Sequence, residues 1–160
     1  MLSYTTPVGP LTLAASDVGL TRVTFRTLRR SSAPPSPAAL TWLELARHEL
    51  DAYFAGTLRT FTVPVSPAGT DFERRAWDAL RAIPFGQTRS YGQQAAAMGD
   101  AKAVRAVGRA NGRNTINILI PCHRVIAASG DLTGYGGGLA RKQWLLRHEQ
   151  RIAANSRHFG

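Results

Sequence analysis

The sequence contains 160 residues, 44% of them hydrophobic, and carries a formal net charge of +10. This length allows one domain or two small ones, and no segment is apolar for long enough to cross a bilayer, which argues against a membrane protein. A single cysteine excludes an internal disulfide, and together with four scattered histidines it makes no zinc cluster. We therefore expect no metal ion and a reducing, cytoplasmic location, since no signal peptide is evident.

The positive charge is concentrated in the second half of the chain. Residues 70–160 carry fourteen of the twenty Lys and Arg residues and six of the ten Asp and Glu residues. An excess of this size favours a polyanionic partner such as nucleic acid, although a generally basic protein is the alternative.

The N-terminal part, residues 1–69, is predicted to form a small antiparallel sheet followed by a helix. Between residues 2 and 26, β-rich runs alternate with turn signals, which is typical of a meander. Ser31–Pro37 is a connector rich in proline and serine. A capping box at Thr41–Glu44, followed by apolar residues at helical spacing, predicts a helix that ends at Gly56.

Residues 70–150 are predicted to be mainly helical. Capping boxes at Thr70–Glu73 and Ser90–Gln93 begin two helices, the second of them short. Asp100 is the predicted N-cap of a third helix over residues 101–110. Two short helices joined by a glycine turn indicate a helix-turn-helix, which by itself is a weak signal.

The third predicted helix carries a basic face. Lys102, Arg105 and Arg109 lie at helical spacing, and Arg113 continues the basic surface beyond the helix. Val104 and Val107 can face the core. Cations placed in this way can meet phosphates through charge-assisted hydrogen bonds. A solvated helix face is the alternative, but the small residues at the other positions favour DNA because they allow close approach of the backbone.

The only cysteine, Cys122, follows an apolar run over residues 118–120 that is predicted to be a short buried strand. Pro121 cannot donate a ladder hydrogen bond and should end that strand. His123 and Arg124 place a base and a cation beside the thiol, and nearby positive charge lowers the pKa of a cysteine. The pattern favours a reactive thiol over a buried structural cysteine.

The stretch Gly130–Gly138 contains Tyr135 among five glycines and lacks the Gly-Lys-Ser/Thr sequence of a Walker phosphate loop. Such a loop can shape a pocket for a flat ligand, and a merely flexible loop is the alternative. The last helix is predicted from Leu139 to Glu149, where a carboxylate is unfavourably placed for the helix dipole and hints at a partner. Residues 151–160 are expected to be a loosely held tail.

Several motifs in a fixed order carry a resemblance to a known family. They are Gly86–Gly92, Arg105–Gly108, Asn111–Asn114, Ile120–Val125, Gly134–Leu139 and Trp144–Glu149. Through them, residues 70–150 resemble the O6-alkylguanine-DNA alkyltransferases, also called methylated-DNA–protein-cysteine methyltransferases. Residues 1–69 resemble the family's N-terminal domain more loosely. The resemblance implies an α+β fold in which a ribonuclease H-like domain precedes a mainly helical domain with a winged-helix-like helix-turn-helix.

The resemblance also implies roles for five side chains. Cys122 would accept the alkyl group, and His123 would be the base, polarised by Glu149. Asn114 would order the active-site turn, and the Tyr135 hydroxyl would stabilise the departing guanine. Because neighbouring side chains of an extended chain point apart, we expect a bridging water between the cysteine and the histidine.

For DNA, the resemblance implies binding through the minor groove and flipping of the damaged base into a pocket. Tyr91 would push the 3′ phosphate, and Arg105 would fill the vacated stack. The further predicted DNA contacts are Lys102, Arg109, Arg113 and Arg124. The predicted pocket residues are Pro121, Val125, Gly137 and Asn117. Three residues, Arg109, Thr115 and Asn117, depart from the family's usual glycine, proline and small or apolar residue.

The expected partner is double-stranded DNA carrying O6-alkylguanine, with O4-alkylthymine as a second candidate, and the protein is expected to be a monomer without a cofactor. Transfer would occur once per molecule, because a thioether offers water no activated carbon to attack. The alternatives are a non-catalytic helix-turn-helix or lesion-sensing DNA-binding protein, and a Cys-His hydrolase. The presence of Cys122 argues against the first, and a hydrolase would need an oxyanion hole.

Overall fold

The computed structural model describes the backbone of residues 1–158 and the side chains of residues 1–155. Two compact units divide the chain: the first is Met1–Ala68 with Thr115–Asn117, and the second begins at Gly69 and resumes at Ile118. The prediction placed residues 115–117 in the second domain, whereas in the structure they belong to the first unit. No described helix is long and apolar enough to cross a membrane.

The first unit has an α+β architecture. It contains β1 (Leu2–Thr6), β2 (Gly9–Ala15), β3 (Leu20–Thr24) and α1 (Pro37–Ala55). The strands form an antiparallel sheet in the order β1-β2-β3, which confirms the predicted meander. Leu11 and Leu13 of β2 and Val23 of β3 are fully buried, because alternate side chains of a strand face the same side.

Helix α1 begins earlier than predicted. Ser36 is its N-cap and accepts a hydrogen bond from the Ala39 amide, and Pro37 occupies the first turn. The capping box predicted at Thr41–Glu44 is therefore wrong, because Ser36 and Pro37 already provide a cap and a fixed φ five and four residues before Thr41. The predicted end at Gly56 is confirmed, with a φ of 83° in the left-handed region.

Residues 115–117 extend the sheet of the first unit. The Val23 amide donates to the Thr115 carbonyl at 2.9 Å, and the Asn117 amide donates to the Val23 carbonyl at 2.8 Å. These bonds flank an isolated parallel bridge between Val23 and Ile116. Asn117, a predicted pocket residue, is thus held by β3 of the first unit.

The second unit is mainly helical. It contains α2 (Asp71–Arg81), β4 (Arg89–Ser90), α3 (Tyr91–Ala97), α4 (Val104–Gly112), β5 (Val125–Ile126) and α5 (Leu139–His158). Both predicted capping boxes are present, Thr70 with Glu73 and Ser90 with Gln93. The two-residue strands β4 and β5 pair in parallel.

Helix α4 begins at Val104, three residues later than predicted. Asp100 is not its N-cap: the Asp100 carbonyl accepts from the Ala103 amide within the preceding turn, and α4 has no side-chain cap. Val104 is 39% exposed, so its expected place in the core is wrong, whereas Val107 is buried.

Helix α5 continues well beyond Glu149 and runs to His158. The predicted end and the predicted tail are wrong for residues 151–158, because no glycine or proline lies between Glu149 and His158 and because Ala153 packs against another segment. A Cβ at Gly86, where φ is 81°, would lie 2.7 Å from the Ala153 Cβ. Residues 159–160 of the predicted tail lie outside the described residues.

Candidate functional site

The cysteine lies on a single turn of 3₁₀ helix, Cys122–Arg124, with a turn before it. The buried strand predicted over residues 118–120 is wrong, because a short apolar run fits a buried turn equally well. Ile118 has a φ of 74°, and no other non-glycine residue in the described chain has a positive φ. A β-branched residue rarely adopts this conformation, so surrounding contacts must hold the turn. The strand in this region, β5, follows the cysteine.

Asn114 ties this turn to the thiol. Its side-chain amide donates to the Ile120 carbonyl at 2.8 Å and to the Cys122 Sγ at 3.3 Å. Burial raises the pKa of the Cys122 thiol, and the hydrogen bond from Asn114 and the charge of Lys142 offset this only in part. The expectation of a lowered pKa is therefore wrong for the resting site, where the thiol form is favoured.

A buried network of charges lies next to the cysteine. The Nε2 atom of His123 lies 2.7 Å from the Glu149 Oε2, and Arg124 donates to both oxygens of the same carboxylate at 2.7 and 3.1 Å. Burial alone would raise the pKa of Glu149, but the positive charge that His123 carries when its ring is protonated, together with the hydrogen bonds from His123 and Arg124, outweighs burial and lowers that pKa. The carboxylate is therefore ionised and acts as an acceptor.

An ionised Glu149 determines the chemistry of the histidine. Because the carboxylate can only accept, His123 must present a proton on Nε2, which leaves the lone pair of the neutral ring on Nδ1. Within the described part of the chain, Nδ1 has no hydrogen-bonding partner. This nitrogen can accept a proton, and the resulting imidazolium would be stabilised by Glu149.

The structure corrects the expected role of Arg124. Its guanidinium is buried between Glu149 and the Ile83 carbonyl, to which Nη1 donates at 2.8 Å. A guanidinium held in this way cannot reach a phosphate, so Arg124 belongs to the interior of the site rather than to a DNA-contacting surface.

Sequence reasoning missed Lys142, which is fully buried. Its ammonium donates to the Val125 carbonyl and to the Thr133 carbonyl, each at 2.6 Å. Desolvation lowers the pKa of Lys142, and the charge of Cys122 acts in the opposite direction. A signal was available in the sequence: Lys142 shares a helix face with Leu145 and Glu149 at spacings of three and seven residues, and both of these are buried.

The glycine-rich loop brings Tyr135 to the same site. The hydroxyl oxygen of Tyr135 is buried, and burial, followed by the charges of Cys122 and Glu149, raises its pKa well above the usual value. The side chain is therefore a protonated donor. The predicted pocket residues Pro121, Val125 and Gly137 are also buried in this unit.

The predicted DNA-contacting cations outside the network are exposed. Arg105 and Arg109 lie one turn apart on α4, Lys102 lies in the turn before this helix, and Arg113 lies at its end. Arg113 also approaches Glu73 at 3.5 Å, with 69% of its side chain exposed. The four cations form one basic surface, although Lys102 is not on the helix as predicted.

Tyr91 is the first residue of α3, and its hydroxyl oxygen accepts a hydrogen bond from the Thr133 hydroxyl at 3.2 Å. The position of a Cβ at Gly108 would be 4.0 Å from the Tyr91 ring, so α4 passes close to this side chain. Tyr91 therefore lies between the basic helix and the glycine-rich loop.

A reciprocal pair of amides that sequence reasoning missed joins α3 to α4. The Gln94 amide donates to the Asn111 oxygen at 2.9 Å, and the Asn111 amide donates to the Gln94 oxygen at 2.8 Å. Both side chains are buried, so the pair fixes the two helices of the helix-turn-helix together.

Two domain families match the chain. The 6-O-methylguanine DNA methyltransferase, DNA binding domain, matches residues 71–151, and the 6-O-methylguanine DNA methyltransferase, ribonuclease-like domain, matches residues 2–67. The methylated-DNA–protein-cysteine methyltransferase of Mycobacterium bovis is 49% identical, with 96% of this chain and 95% of the relative covered. That of Methanosarcina acetivorans is 45% identical, with 91% and 95% covered.

The chain belongs to the methylated-DNA–protein-cysteine methyltransferase family. Among solved structures, Mycobacterium tuberculosis OGT in complex with DNA is similar to it, with a TM-score of 0.84, 48% identity, and coverage of 94% of this chain and 92% of that one. The O6-methylguanine DNA methyltransferase of Methanococcus jannaschii has a TM-score of 0.67 at 27% identity, with 93% of each chain covered. The α+β fold with two domains is therefore that of the alkyltransferases.

Proposed function

We propose that this protein repairs DNA directly, by binding a duplex that contains O6-alkylguanine and transferring the alkyl group to the Sγ atom of Cys122. The family supports DNA binding and DNA repair, and a relative of 48% identity has been solved in complex with DNA. The observation that carries the proposal is the position of the single thiol, held by Asn114 and followed in the chain by a histidine paired with an ionised Glu149.

The first step is removal of the thiol proton. The raised pKa of Cys122 means that a base must act during the reaction, and Nδ1 of His123 is a nitrogen lone pair suited to this task. The proton passes from Sγ to Nδ1 through a bridging water. Glu149 then stabilises the imidazolium that forms.

The second step is attack of the thiolate on the alkyl carbon. An S–C bond forms, the bond between that carbon and O6 breaks, and its electron pair remains on the guanine. The Tyr135 hydroxyl, which its raised pKa keeps protonated, donates a hydrogen bond to the departing base and stabilises this charge. The product is a thioether without an activated carbon, so each molecule reacts once.

The target carbon cannot be reached inside a duplex, so the nucleotide must rotate out of the stack, which costs a few kcal/mol. Tyr91, at the start of α3, pushes the 3′ phosphate, and the exposed Arg105 of α4 fills the gap that the base leaves. Lys102, Arg109 and Arg113 bind phosphates of the duplex. Entry through the minor groove suits a search that does not read sequence.

The test is incubation with a duplex containing one O6-methylguanine, followed by peptide mass spectrometry. We expect one methyl group on Cys122, no methyl group elsewhere, and a yield that stops at one equivalent. Cys122→Ser is the matched control: it should bind the same duplex and leave the lesion intact. Methyl on another residue, or several turnovers per molecule, would contradict the proposal, and tight binding without any transfer would indicate a lesion-sensing protein instead.

A further inference from the structure

Lys142 is a buried cation whose charge is not neutralised by a carboxylate. Its side chain is fully buried, and its ammonium donates only to the carbonyls of Val125 and Thr133 among the bonds found in the described residues. No salt bridge within residues 1–155 includes it. Keeping an ammonium in such a place is unfavourable unless it is hydrogen-bonded and opposed by a negative charge.

The two carbonyls belong to different parts of the site. Val125 begins β5, directly after the 3₁₀ turn that carries Cys122, and Thr133 lies in the glycine-rich loop two residues before Tyr135. Lys142 itself lies on α5, seven residues before Glu149. One ammonium thus joins the nucleophile's turn and the pocket loop to the helix that supplies the carboxylate.

The other charges around the thiol are already engaged. Arg124 and His123 share Glu149, and the charge of Arg141 acts on Tyr135, which is neutral. The charge of Lys142 lowers the pKa of the Cys122 thiol and so opposes the effect of burial.

We propose that Lys142 is a positioning residue for alkyl transfer: it holds the glycine-rich loop against the turn of Cys122 and supplies the cation that stabilises the thiolate. The proposal rests on the function proposed above for Cys122. In the resting site, the lysine is held by two carbonyl dipoles. When His123 takes the thiol proton, the sulfur becomes the anion that opposes its charge, so the negative charge on sulfur costs less than in an apolar interior.

The experiment compares Lys142→Met, which keeps the length of the side chain without charge or donors, with Lys142→Arg, which keeps the charge. The ionisation of Cys122 is followed by the ultraviolet absorbance of its thiolate, with Cys122→Ser subtracted, and by its rate of reaction with iodoacetamide. Because the protein contains one cysteine, both signals report on this residue alone. Neither measurement requires DNA, so a failure of this inference is distinguishable from a failure of the proposed repair function.

We expect Lys142→Met to raise the pKa of Cys122 by roughly one unit or more, and to slow transfer from methylated duplex about tenfold at neutral pH. Binding of the duplex should be unchanged, because Lys142 is buried. Lys142→Arg should keep the pKa near that of the wild type and still slow transfer, because a guanidinium cannot reproduce the two carbonyl contacts. The matched control, Arg147→Met, removes an exposed cation from the same helix and should leave the ionisation of Cys122 unchanged.

A folded Lys142→Met protein with the wild-type pKa at Cys122 would overturn the electrostatic part of the proposal, and wild-type transfer in both variants would overturn the positioning part. Folding is checked by circular dichroism and thermal melting before each titration. If neither variant folds, Lys142 is a structural residue and the proposal is wrong.

Discussion

The charged residues next to Cys122 in the sequence differ from those that change the pKa of its thiol. Arg124, two residues from Cys122, is engaged by Glu149 and the Ile83 carbonyl. The charge of Lys142, twenty positions away in the sequence, lowers the pKa of the thiol. The raised pKa of Cys122 follows from burial, so the proposed transfer requires a base that acts during the reaction rather than a resting thiolate.

Glu149 supports a prediction about pH. Its pKa is lowered in the folded protein, so its contribution to stability is complete above the unfolded value of about 4.3 and is lost as the pH falls through and below that value. Glu149→Gln leaves the buried guanidinium of Arg124 unpaired, and we expect a loss of roughly 3 kcal/mol at pH 7. Urea unfolding should show that the difference in free energy of unfolding between the wild type and Glu149→Gln narrows below about pH 4.

The matched control for this titration is Glu44→Gln, which changes an exposed carboxylate on α1 and should leave the stability profile as it is. A Glu149→Gln difference that stays constant from pH 7 to acid would mean that the carboxylate does not stabilise the fold through its charge.

At the scale of the elements, helix ends decide which side chains meet. The start of α4 at Val104 rather than at residue 101 puts that valine in solvent and Lys102 in a turn. The continuation of α5 to His158 places Glu149 in the middle of the helix, where its carboxylate faces the site rather than an unfavourable helix terminus. The extra turns also bring Ala153 against Gly86.

The contact between Gly86 and α5 gives a prediction about packing. Gly86→Ala must adopt a φ of 81° and place its Cβ 2.7 Å from that of Ala153, so we expect a loss of about 2 kcal/mol or more. Ala153→Gly removes the clash, although it costs about 1 kcal/mol in helix propensity. The double variant should therefore lose less free energy of unfolding than the two single variants lose together, as measured by a double-mutant cycle in urea.

Gly99 provides the matched control for this cycle. It has a φ of 82°, and a Cβ there would meet nothing within 4 Å, so Gly99→Ala tests the backbone cost alone. The losses of stability caused by Gly99→Ala and by Ala153→Gly should add in the double variant. If the losses caused by Gly86→Ala and Ala153→Gly also add, α5 is not packed against Gly86.

For the molecule as a whole, charge is divided between a surface and an interior. Lys102, Arg105, Arg109 and Arg113 are exposed in one region of the second unit. Under the proposed function, these cations would displace the counterions from the phosphates of a duplex. Arg124 and Lys142 are buried in the candidate site of the same unit. The net charge of +10 therefore overstates the positive charge that is available on the surface to bind DNA.

Variants of Arg105 and Arg109 test the proposed base flipping separately from the proposed binding of phosphates. Arg105→Ala should slow repair of saturating duplex substantially more than it slows reaction with free O6-alkylguanine base, because only the duplex requires the vacated stack to be filled. Arg109→Ala removes a cation of the same helix, and should weaken DNA binding and reduce the salt dependence by about one phosphate contact. Transfer rates are measured by rapid quench with duplex and with free base.

If Arg105→Ala slows the reactions with duplex and with free base equally, Arg105 has no role in base flipping. An unchanged salt dependence in Arg109→Ala would mean that this residue does not contact phosphate.

The sequence by itself predicted what depends on neighbours a few positions apart. The boxes at Thr70–Glu73 and Ser90–Gln93 could be read directly, because a cap is formed by residues three positions apart. The antiparallel meander followed from turn residues and alternation, and the ordered motifs around Cys122 identified the family. The cap predicted at Thr41 failed because a second local signal, Ser36 with Pro37, competed with it.

Only the tertiary structure decided how the site is assembled, because its contacts join distant positions. Arg124 and the Ile83 carbonyl are 41 positions apart, and Lys142 and the Val125 carbonyl are 17 apart. Such pairs depend on how distant segments pack. The shared helix face of Lys142, Leu145 and Glu149 could therefore indicate that the lysine is buried, but not which two carbonyls it binds. The turn at Ile118 has the same origin: an apolar run predicts burial, but packing around it determines whether the chain is extended or turned.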